Sequence, residues 1–419
     1  MGSLVGGNAV FIVMFATRHS ALVYLLGIPF DRAILFHRWL GRWSGIVLFL
    51  HFIFESIFFS QNLPAGSNDT AISVVAKEWV DNEGAIGEVT LNLYGFLSAI
   101  FYIIIFVFSL EWFRRNKFEI FFASHALILG FFALGALHSP KFRLYAYISA
   151  ALFIIDILLR IFLSSIIIPR KTTVFKKRSD TLVQVRFPKQ VPWAKPFYKP
   201  GQYVFVNFPD ISRAEWHPFS VTSAPDDEEI EINIRALGNW TRKVAALAAE
   251  SNRVWVRCDG PYGNLDLNYH RYTSLLLVAG GIGITPVIGI LKDIFTAKKK
   301  KRSRLETVVM VWSVPSNNEG EWFMDDFRHL MNVAQHASIK LDLRIHVTRA
   351  AKDAPPPSPP MYNGRPDMEK LLDQCTDHRA PCFVFVCGPR KMVNATWDLA
   401  TGFQRKGKIV HFHHETFEF

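Results

Sequence analysis

The sequence predicts three parts: an α-helical transmembrane bundle over residues 1–168, a small antiparallel β-barrel over 169–270, and an α/β doubly wound domain over 271–419. Three observations predict this. Half of the 419 residues are hydrophobic, and the 37 phenylalanines help to build long apolar runs concentrated in the first 168 positions. From Thr181 the pattern changes to short alternating segments separated by Gly and Pro, as in a small barrel. Beyond residue 271, buried strand-like runs alternate with helical stretches, the pattern of a parallel sheet with crossover helices.

In the first part, a hydrocarbon core of about 30 Å asks for about 20 apolar residues per helix. Segments 35–59, 91–110, 119–138 and 144–164 meet that requirement. The opening run, Leu4 to Thr17, is shorter, ends at Arg18-His19, where His19 is expected to be solvated at the interface, and is followed by an interfacial connection over 20–33. Positive charge fixes the orientation. Arg18, Arg32, Arg38 and Arg42, then Arg114, Arg115 and Lys117, then Arg170, Lys171, Lys176, Lys177 and Arg178 all mark one side. The loop over 60–90 carries Asp69, Glu78, Asp81, Glu83 and Glu88 against one lysine. The residues after 168 are therefore expected in the cytosol, with Asn68-Asp-Thr70 outside as a candidate glycosylation sequon.

Two pairs of histidines lie within these apolar helices: His37 with His51, and His125 with His138. An ionisable side chain at bilayer depth is costly and usually has a functional partner. Both helices run from inside to outside, so His37 and His125 share the inner level, and His51 and His138 the outer one. Fourteen residues at about 1.5 Å rise separate the levels by roughly 20 Å. That geometry suits two stacked haems, each held by one imidazole from each helix; core histidines or a proton relay would not require two matched levels. His37 and His51 fall about 40° apart around an ideal helix, whereas the thirteen-residue spacing of His125 and His138 puts them about 140° apart. A bend or winding change near Gly130 to Gly135 is expected to absorb the misfit.

In the second part, the strand-like run around Leu182 is followed by Pro200-Gly-Gln-Tyr-Val-Phe-Val-Asn207, His217-Pro-Phe-Ser220 and Ile230-Glu-Ile-Asn-Ile-Arg235. The third part opens with a buried strand running into Gly280-Gly-Ile-Gly-Ile-Thr-Pro286. Such glycines admit a pyrophosphate to the backbone, the following helix N-terminus favours its charge, and Pro286 suits a first helical position. Further strands are expected at Thr307–Trp312, Ile339–His346 and Cys382–Cys387, the last leading into Gly388-Pro389. The basic stretch Lys298 to Arg304 reads as a solvated turn, and Ala354 to Pro360 as a stiff spacer.

The net charge of +11 lies on cytosol-facing segments without a basic-aromatic stripe, which argues against nucleic acid. The four cysteines, Cys258, Cys375, Cys382 and Cys387, all follow the membrane part and have no zinc spacing, as expected of a reducing compartment.

Taken in order, the paired helix histidines, His-Pro-Phe-Ser, Gly238-Asn-Trp-Thr241, Gly260-Pro-Tyr-Gly263, the Gly280 turn, Cys387-Gly-Pro389 and the aromatic C-terminus resemble the ferric reductase and NADPH oxidase superfamily. The resemblance is closest to its fungal-type ferric-chelate reductases and covers essentially the whole chain. It implies two b-type haems, on His37 with His125 and on His51 with His138, together with FAD and NADPH, or NADH in its place. His217, Pro218, Phe219 and Ser220 would line the flavin, with Ser220 near its reactive nitrogen. Arg235, Gly238, Trp240 and Thr241 would hold its pyrophosphate and ribityl chain. Gly280, Gly281, Gly283, Thr285 and Pro286 match the nicotinamide-nucleotide loop, and Cys387, Gly388 and Pro389 the segment beside the nicotinamide. Phe417 matches the aromatic that covers the flavin, with Phe419 as the alternative. Arg365, with Ser313, is the candidate for the 2′-phosphate. Ser220, Cys387 and Phe417 are the candidate catalytic residues.

The implied activity is electron transfer from cytosolic NADPH through FAD and the haems to an acceptor outside a multi-pass membrane, expected to be the plasma membrane. A ferric or cupric chelate is the first expectation, a superoxide-producing oxidase using O2 the second, and an inert haem-binding membrane protein a third of another class. The family pattern normally places at least one more helix ahead of the first histidine helix. A homo-oligomer or another partner, besides membrane lipid, is therefore expected to cover that flank.

Overall fold

The computed structural model describes residues 2–61, 92–164, 167–189, 198–263, 268–299, 304–337, 339–350, 359–376 and 381–415. They form two compact units, Met1–Phe162 and Leu163–Phe419. The acidic 60–90 loop beyond its first two residues, the Asn68 sequon, Phe417 and Phe419 lie outside the described residues.

The first unit is helical. Phe30–Phe58, Phe118–His138 and Pro140–Phe162 are long and apolar enough to cross a membrane; Gly2–Ala16 and Asn92–Phe108 are shorter apolar helices. Their outward residues are large and apolar, Trp39, Phe49, Phe122 and Leu129 among them, as a lipid-facing surface requires. The first histidine helix runs Phe30–Gln61, starting five residues before the expected position because Pro29 supplies the carbonyl that Ala33 N–H bonds. The expected connection over 20–33 is thus largely helical, with a short helix Ala21–Leu25 capped by Ser20. The connection between segments 91–110 and 119–138 also folds, as the helix Glu111–Asn116, stabilised by an Arg115–Glu111 pair at 2.8 Å. Pro140 opens the last helix at the position where its missing N–H costs nothing.

The second histidine helix changes its winding, but not where the glycines are. It is divided into Phe118–His125 and Ile128–His138. Between them Ala126, Leu127 and Leu129 donate to the carbonyls three residues back, Ala123, Ser124 and Ala126. Ser124 Oγ donates to Phe121 O at 2.8 Å, the carbonyl that the His125 N–H would take in a regular helix, and such back-bonding bends helices. Three residues wound at about 120° rather than 100° add about 60°, reducing the histidine misfit from about 140° to about 80°. Gly130 and Gly135 serve close packing instead: a Cβ at either would strike Phe101 or Phe142.

In the second unit, the antiparallel part is two sheets rather than one continuous barrel wall. Strands β1 (Ile167–Ile168), β7 (Val256–Tyr262), β4 (Tyr203–Asn207) and β5 (His217–Ser220) form the first, and β2 (Val174–Lys177), β3 (Leu182–Pro188) and β6 (Glu229–Arg235) the second. Among the described residues a single bridge, Val221 to Ile232, links them. Val183, Val185, Val204, Val206, Ile232 and Ile234 fill the space between. The basic 169–180 stretch contributes β2, which pairs with β3. The helix Asn239–Glu250, where strands and turns were expected, closes the core with Trp240 and Val244; its Val-Ala-Ala-Leu-Ala-Ala run has high helix propensity.

The remaining sheet is parallel throughout, in the order β11-β10-β9-β8-β12-β13. Its strands are β8 (Ser274–Gly280), β9 (Thr307–Val314), β10 (Lys340–Val347), β11 (Met361–Asn363), β12 (Cys382–Cys387) and β13 (Val410–Glu415). Along β8, Leu275, Leu277 and Ala279 face one core, with helices Ile284–Lys299 and Met324–His336. Leu276 and Val278 face the other, with Met368–Cys375 and Arg390–Arg405. Helices thus cover both faces, and the chain order reverses between β8 and β12. The edge strands, three-residue β11 and histidine-rich β13, carry too little apolar pattern to be expected from sequence.

Candidate functional site

Within the helical unit, the two histidine pairs meet as the spacing requires. His51 and His138 line one cavity of about 440 Å³, walled by Leu48, Phe52, Phe131 and Phe142 with Ser98, Glu55 and Asn92 at its polar side. His37 and His125 lie within electrostatic reach of each other. The His37 Nδ1 lies 2.9 Å from the Ile12 carbonyl. A proton on that nitrogen would be donated to Ile12 O and leave Nε2 as the ligand atom. His51 Nδ1 is 3.5 Å from Glu55 Oε1, one turn further along. Gly95 lets the neighbouring helix approach the His138 ring, since a Cβ there would fall 2.7 Å from its Cε1 and Nδ1. Two imidazoles facing an apolar cavity fit a haem with histidine ligands on both sides. Glu55, Gly95 and Ser98 were not singled out by sequence; Glu55 was accessible to it as the residue four positions after His51. His19 is half-buried rather than solvated: its Nε2 is buried, its backbone N–H donates to the buried Asp156 at 2.8 Å, and Asp156 pairs with Arg160 at 2.6 Å.

In the second unit, β4 pairs with β5 so that His217, Pro218, Phe219 and Ser220 form one strand beside Tyr203 to Val206. The Trp240 indole packs against His217, ring centroids 4.1 Å apart, and stacks on Phe208. Ser220 Oγ and Trp240 Nε1 are buried without a hydrogen-bond partner among the described residues. Buried donors left unpaired are costly, and here they fit a bound flavin. Burial pushes the His217 imidazole pKa down, opposed by Glu215 at 3.7 Å. Gly238 caps the helix Asn239–Glu250, and Thr241 Oγ1 accepts from the Leu237 and Gly238 N–H groups, closing a turn that presents a helix N-terminus.

Gly280 to Gly283 form a tight turn at the end of β8, leading into Ile284–Lys299. Gly281 is at φ +54, and its carbonyl accepts from Trp312 Nε1 at 2.7 Å. A Cβ on Gly280 would strike Pro389, and one on Gly283 the backbone of Cys387. The two glycine segments therefore touch at the reversal point of the sheet, outside the strand carboxyl ends, where dinucleotides bind in such folds. Thr285 closes the turn onto Ile282 O at 3.0 Å. Pro286 is the third helical residue rather than the first, still within the turn whose N–H groups have no helical acceptor. Cys387 is fully buried, and burial, followed by Glu415, pushes its thiol well above the ordinary range. Ser313 lies near the end of β9, while exposed Arg365 follows β11 after Gly364 at φ +85. Arg235 leaves β6 toward the Gly281 turn, and its guanidinium pairs with Glu319 at 2.8 Å.

Comparisons with known proteins follow the same division. The description "Ferric reductase like transmembrane component" matches residues 1–136, "FAD-binding domain" residues 168–266, and "Ferric reductase NAD binding domain" residues 272–358. Ferric reductase transmembrane, FAD-binding and NAD-binding matches follow one another along this chain, and its relatives are ferric reduction oxidases and NADPH oxidases. Ferric reduction oxidase 4 of Arabidopsis thaliana is 29% identical over 83% of this chain and 48% of its own length. Ferric reduction oxidase 5 of the same plant is 28% identical, over 82% and 46%. A superoxide-generating NADPH oxidase heavy chain of Dictyostelium discoideum is 28% identical, over 75% and 51%. The chain thus spans about half the length of these superfamily relatives. The matched boundaries at 168 and 272 fall where β1 begins the antiparallel part and shortly before β8 begins the parallel sheet.

Proposed function

We propose that this chain moves electrons from cytosolic NADPH across a membrane to a ferric chelate. The observation that carries the reading is one chain holding both a paired-histidine cavity among apolar helices and a glycine-lined reversal point in a parallel sheet. Bound flavin would take the two electrons of a hydride and release them singly to haem iron, which carries one. The chain's own residues supply positions. The Gly280–Gly283 turn and the helix after it receive a pyrophosphate. The neutral Cys387 thiol and Gly388-Pro389 shape the nicotinamide pocket. Ser220 and Trp240 offer hydrogen bonds to the flavin, while Pro218 and Phe219 keep water from it. His37 with His125, and His51 with His138, would hold the two haems. Outward electron flow in an inside-negative cell gains about 2.3 kcal/mol per electron per 100 mV.

Lys141 and Arg143 follow His138 at the start of the last helix, and Arg143 Nε also donates to Ala136 O at 3.0 Å. Two cations beside the outer histidine favour an anionic chelate over neutral O2. The test is anaerobic: purified protein with FAD receives NADPH while the haem spectrum is followed, and then ferric citrate or oxygen is admitted with and without superoxide dismutase. Haem reduction followed by dismutase-insensitive iron reduction supports the reading. Dismutase-sensitive reduction transfers it to the oxidase alternative, and no haem reduction leaves the inert one. Ferric-citrate reduction at low salt that survives replacement of Lys141 and Arg143 removes the cations from acceptor binding.

A further inference from the structure

A cation beside the nucleotide turn, Arg235, is held by an acid of the neighbouring domain. Arg235 ends β6 of the flavin part, yet its Nη1 lies 3.2 Å from where a Gly281 Cβ would stand. Its Nη2 donates to Glu319 Oε1 at 2.8 Å, and its guanidinium lies over the Trp322 ring at 5.2 Å from the centroid. Glu319 belongs to the short helix Asn317–Gly320 after β9, where Ser316 Oγ fixes its backbone N–H. Its other oxygen, Oε2, is buried with no hydrogen-bond partner among the described residues. Burial pushes this carboxyl up, with Arg235 and then Arg349 opposing.

We propose that Glu319 is an internal stand-in for a phosphate, occupying Arg235 until the pyrophosphate of a pyridine dinucleotide enters the Gly280–Gly283 turn and replaces it. The inference rests on the nucleotide-binding reading of that turn. A dinucleotide drawn to the turn brings its anion to the guanidinium from the Gly281 side, where the carboxylate is the competing ligand. Arg235 then contacts both parts of the reductase unit and changes partner with nucleotide occupancy. Glu319 weakens binding of nucleotide and product alike, which favours release after the hydride has left. The pair is partly buried, 24% and 15% exposed at the side chains, so the competition is less screened by salt than a surface pair would be.

The test is calorimetric titration of NADP+ into the full-length protein in detergent with FAD bound. Glu319→Gln keeps the side-chain shape and removes the charge, and is expected to tighten NADP+ binding roughly tenfold, the scale of one charge-assisted hydrogen bond released from competition. Adenosine 2′-monophosphate, which lacks the pyrophosphate, should bind both proteins equally, and FAD content should not change. Asp326→Asn breaks a different bridge between the same two parts, to Arg178 at 2.6 Å, and should leave the NADP+ affinity alone. Equal tightening by both variants would assign the effect to domain loosening and overturn the exchange. Unchanged or weaker NADP+ binding in Glu319→Gln, or lost FAD with unchanged NADP+ binding, also overturns it. Should that variant fail to fold, Glu319→Asp, which draws the carboxylate back by one methylene, must show intermediate tightening. Wild-type protein that binds no NADP+ defeats the nucleotide reading itself, whereas wild-type binding with an inert Glu319→Gln defeats only the exchange.

Discussion

Replacing Gly95 with alanine should remove one haem and spare the other. The new Cβ would stand 2.7 Å from His138 Cε1 and Nδ1 and 2.8 Å from Cγ. Ordinary carbon contacts lie at about 3.5–4.0 Å, so the imidazole must retreat by about 1 Å, twice the roughly 0.5 Å within which a functional group has to be held. The substitution favours the helix itself, since alanine exceeds glycine in helix propensity by about 1 kcal/mol; any loss therefore comes from the displaced ring. Gly41→Ala and Gly7→Ala, where a Cβ meets nothing within 4 Å, are controls with the same backbone gain. Haem per protein, measured as the pyridine haemochrome, should fall from about two toward about one in Gly95→Ala only, and an anaerobic redox titration should lose one component. Two haems with unaltered spectra in Gly95→Ala would refute the placement of a ligand at His138.

Gly283→Ala would press a methyl group into the Cys387 carbonyl, whose carbon would be 2.8 Å away. Because the obstacle is backbone, overpacking of about 1–3 kcal/mol is expected, with a lower thermal midpoint and weaker NADP+ binding; an unchanged Kd would separate the glycine turn from the nucleotide. Glu231 is buried, yet Lys292, then Asn233, Gln184 and Arg178, outweigh burial and hold its carboxyl below the ordinary range. A depressed carboxyl stabilises the fold above its unfolded pKa, near 4.5, and loses that contribution as pH falls through the folded value. Glu231→Gln should accordingly lower the unfolding midpoint at pH 7, with the difference from wild type shrinking below about pH 4.5; a pH-independent difference would contradict the sign. Arg365→Ala should raise the KM for NADPH and leave that for NADH unchanged, and equal effects would remove Arg365 from 2′-phosphate recognition.

How much the sequence discloses follows from how local each cause is. The parallel sheet is legible at Ser274–Gly280 and Cys382–Cys387 because strands buried on both faces are continuous apolar runs. Strands β11 and β13 are not: β11 has three residues, and β13, as long as β12, reads Val-His-Phe-His-His-Glu rather than as an apolar run. The helix Asn239–Glu250 is hidden behind the Gly-Asn-Trp-Thr motif, although its alanines speak for it. The two matched histidine levels are legible because helical rise is nearly invariant. The site of the winding change is not: the glycines are the conspicuous breakers, whereas a serine hydroxyl at position 124 competes for the Phe121 carbonyl.

The same contrast separates the proposed ligands from what orients them. His37 can be named from its spacing, but its acceptor, the Ile12 carbonyl, lies on the preceding helix, and no periodicity points to it. Helix Gly2–Ala16 thereby sets the ring orientation of a residue twenty-five positions away, while the chain just after its end is tied through His19 to Asp156 on the last helix. Arg235 poses the same problem in the second unit: motif order assigns it to the flavin, whereas the fold brings Glu319, eighty-four positions on, to its guanidinium. Residue types that bind cofactors are conspicuous because their chemistry is narrow, whereas a carbonyl or a carboxylate that orients them is chemically common and becomes specific only through tertiary placement. Substitutions at Glu319 and Asp156 should thus alter affinity and ligand geometry without touching any residue that the motifs mark.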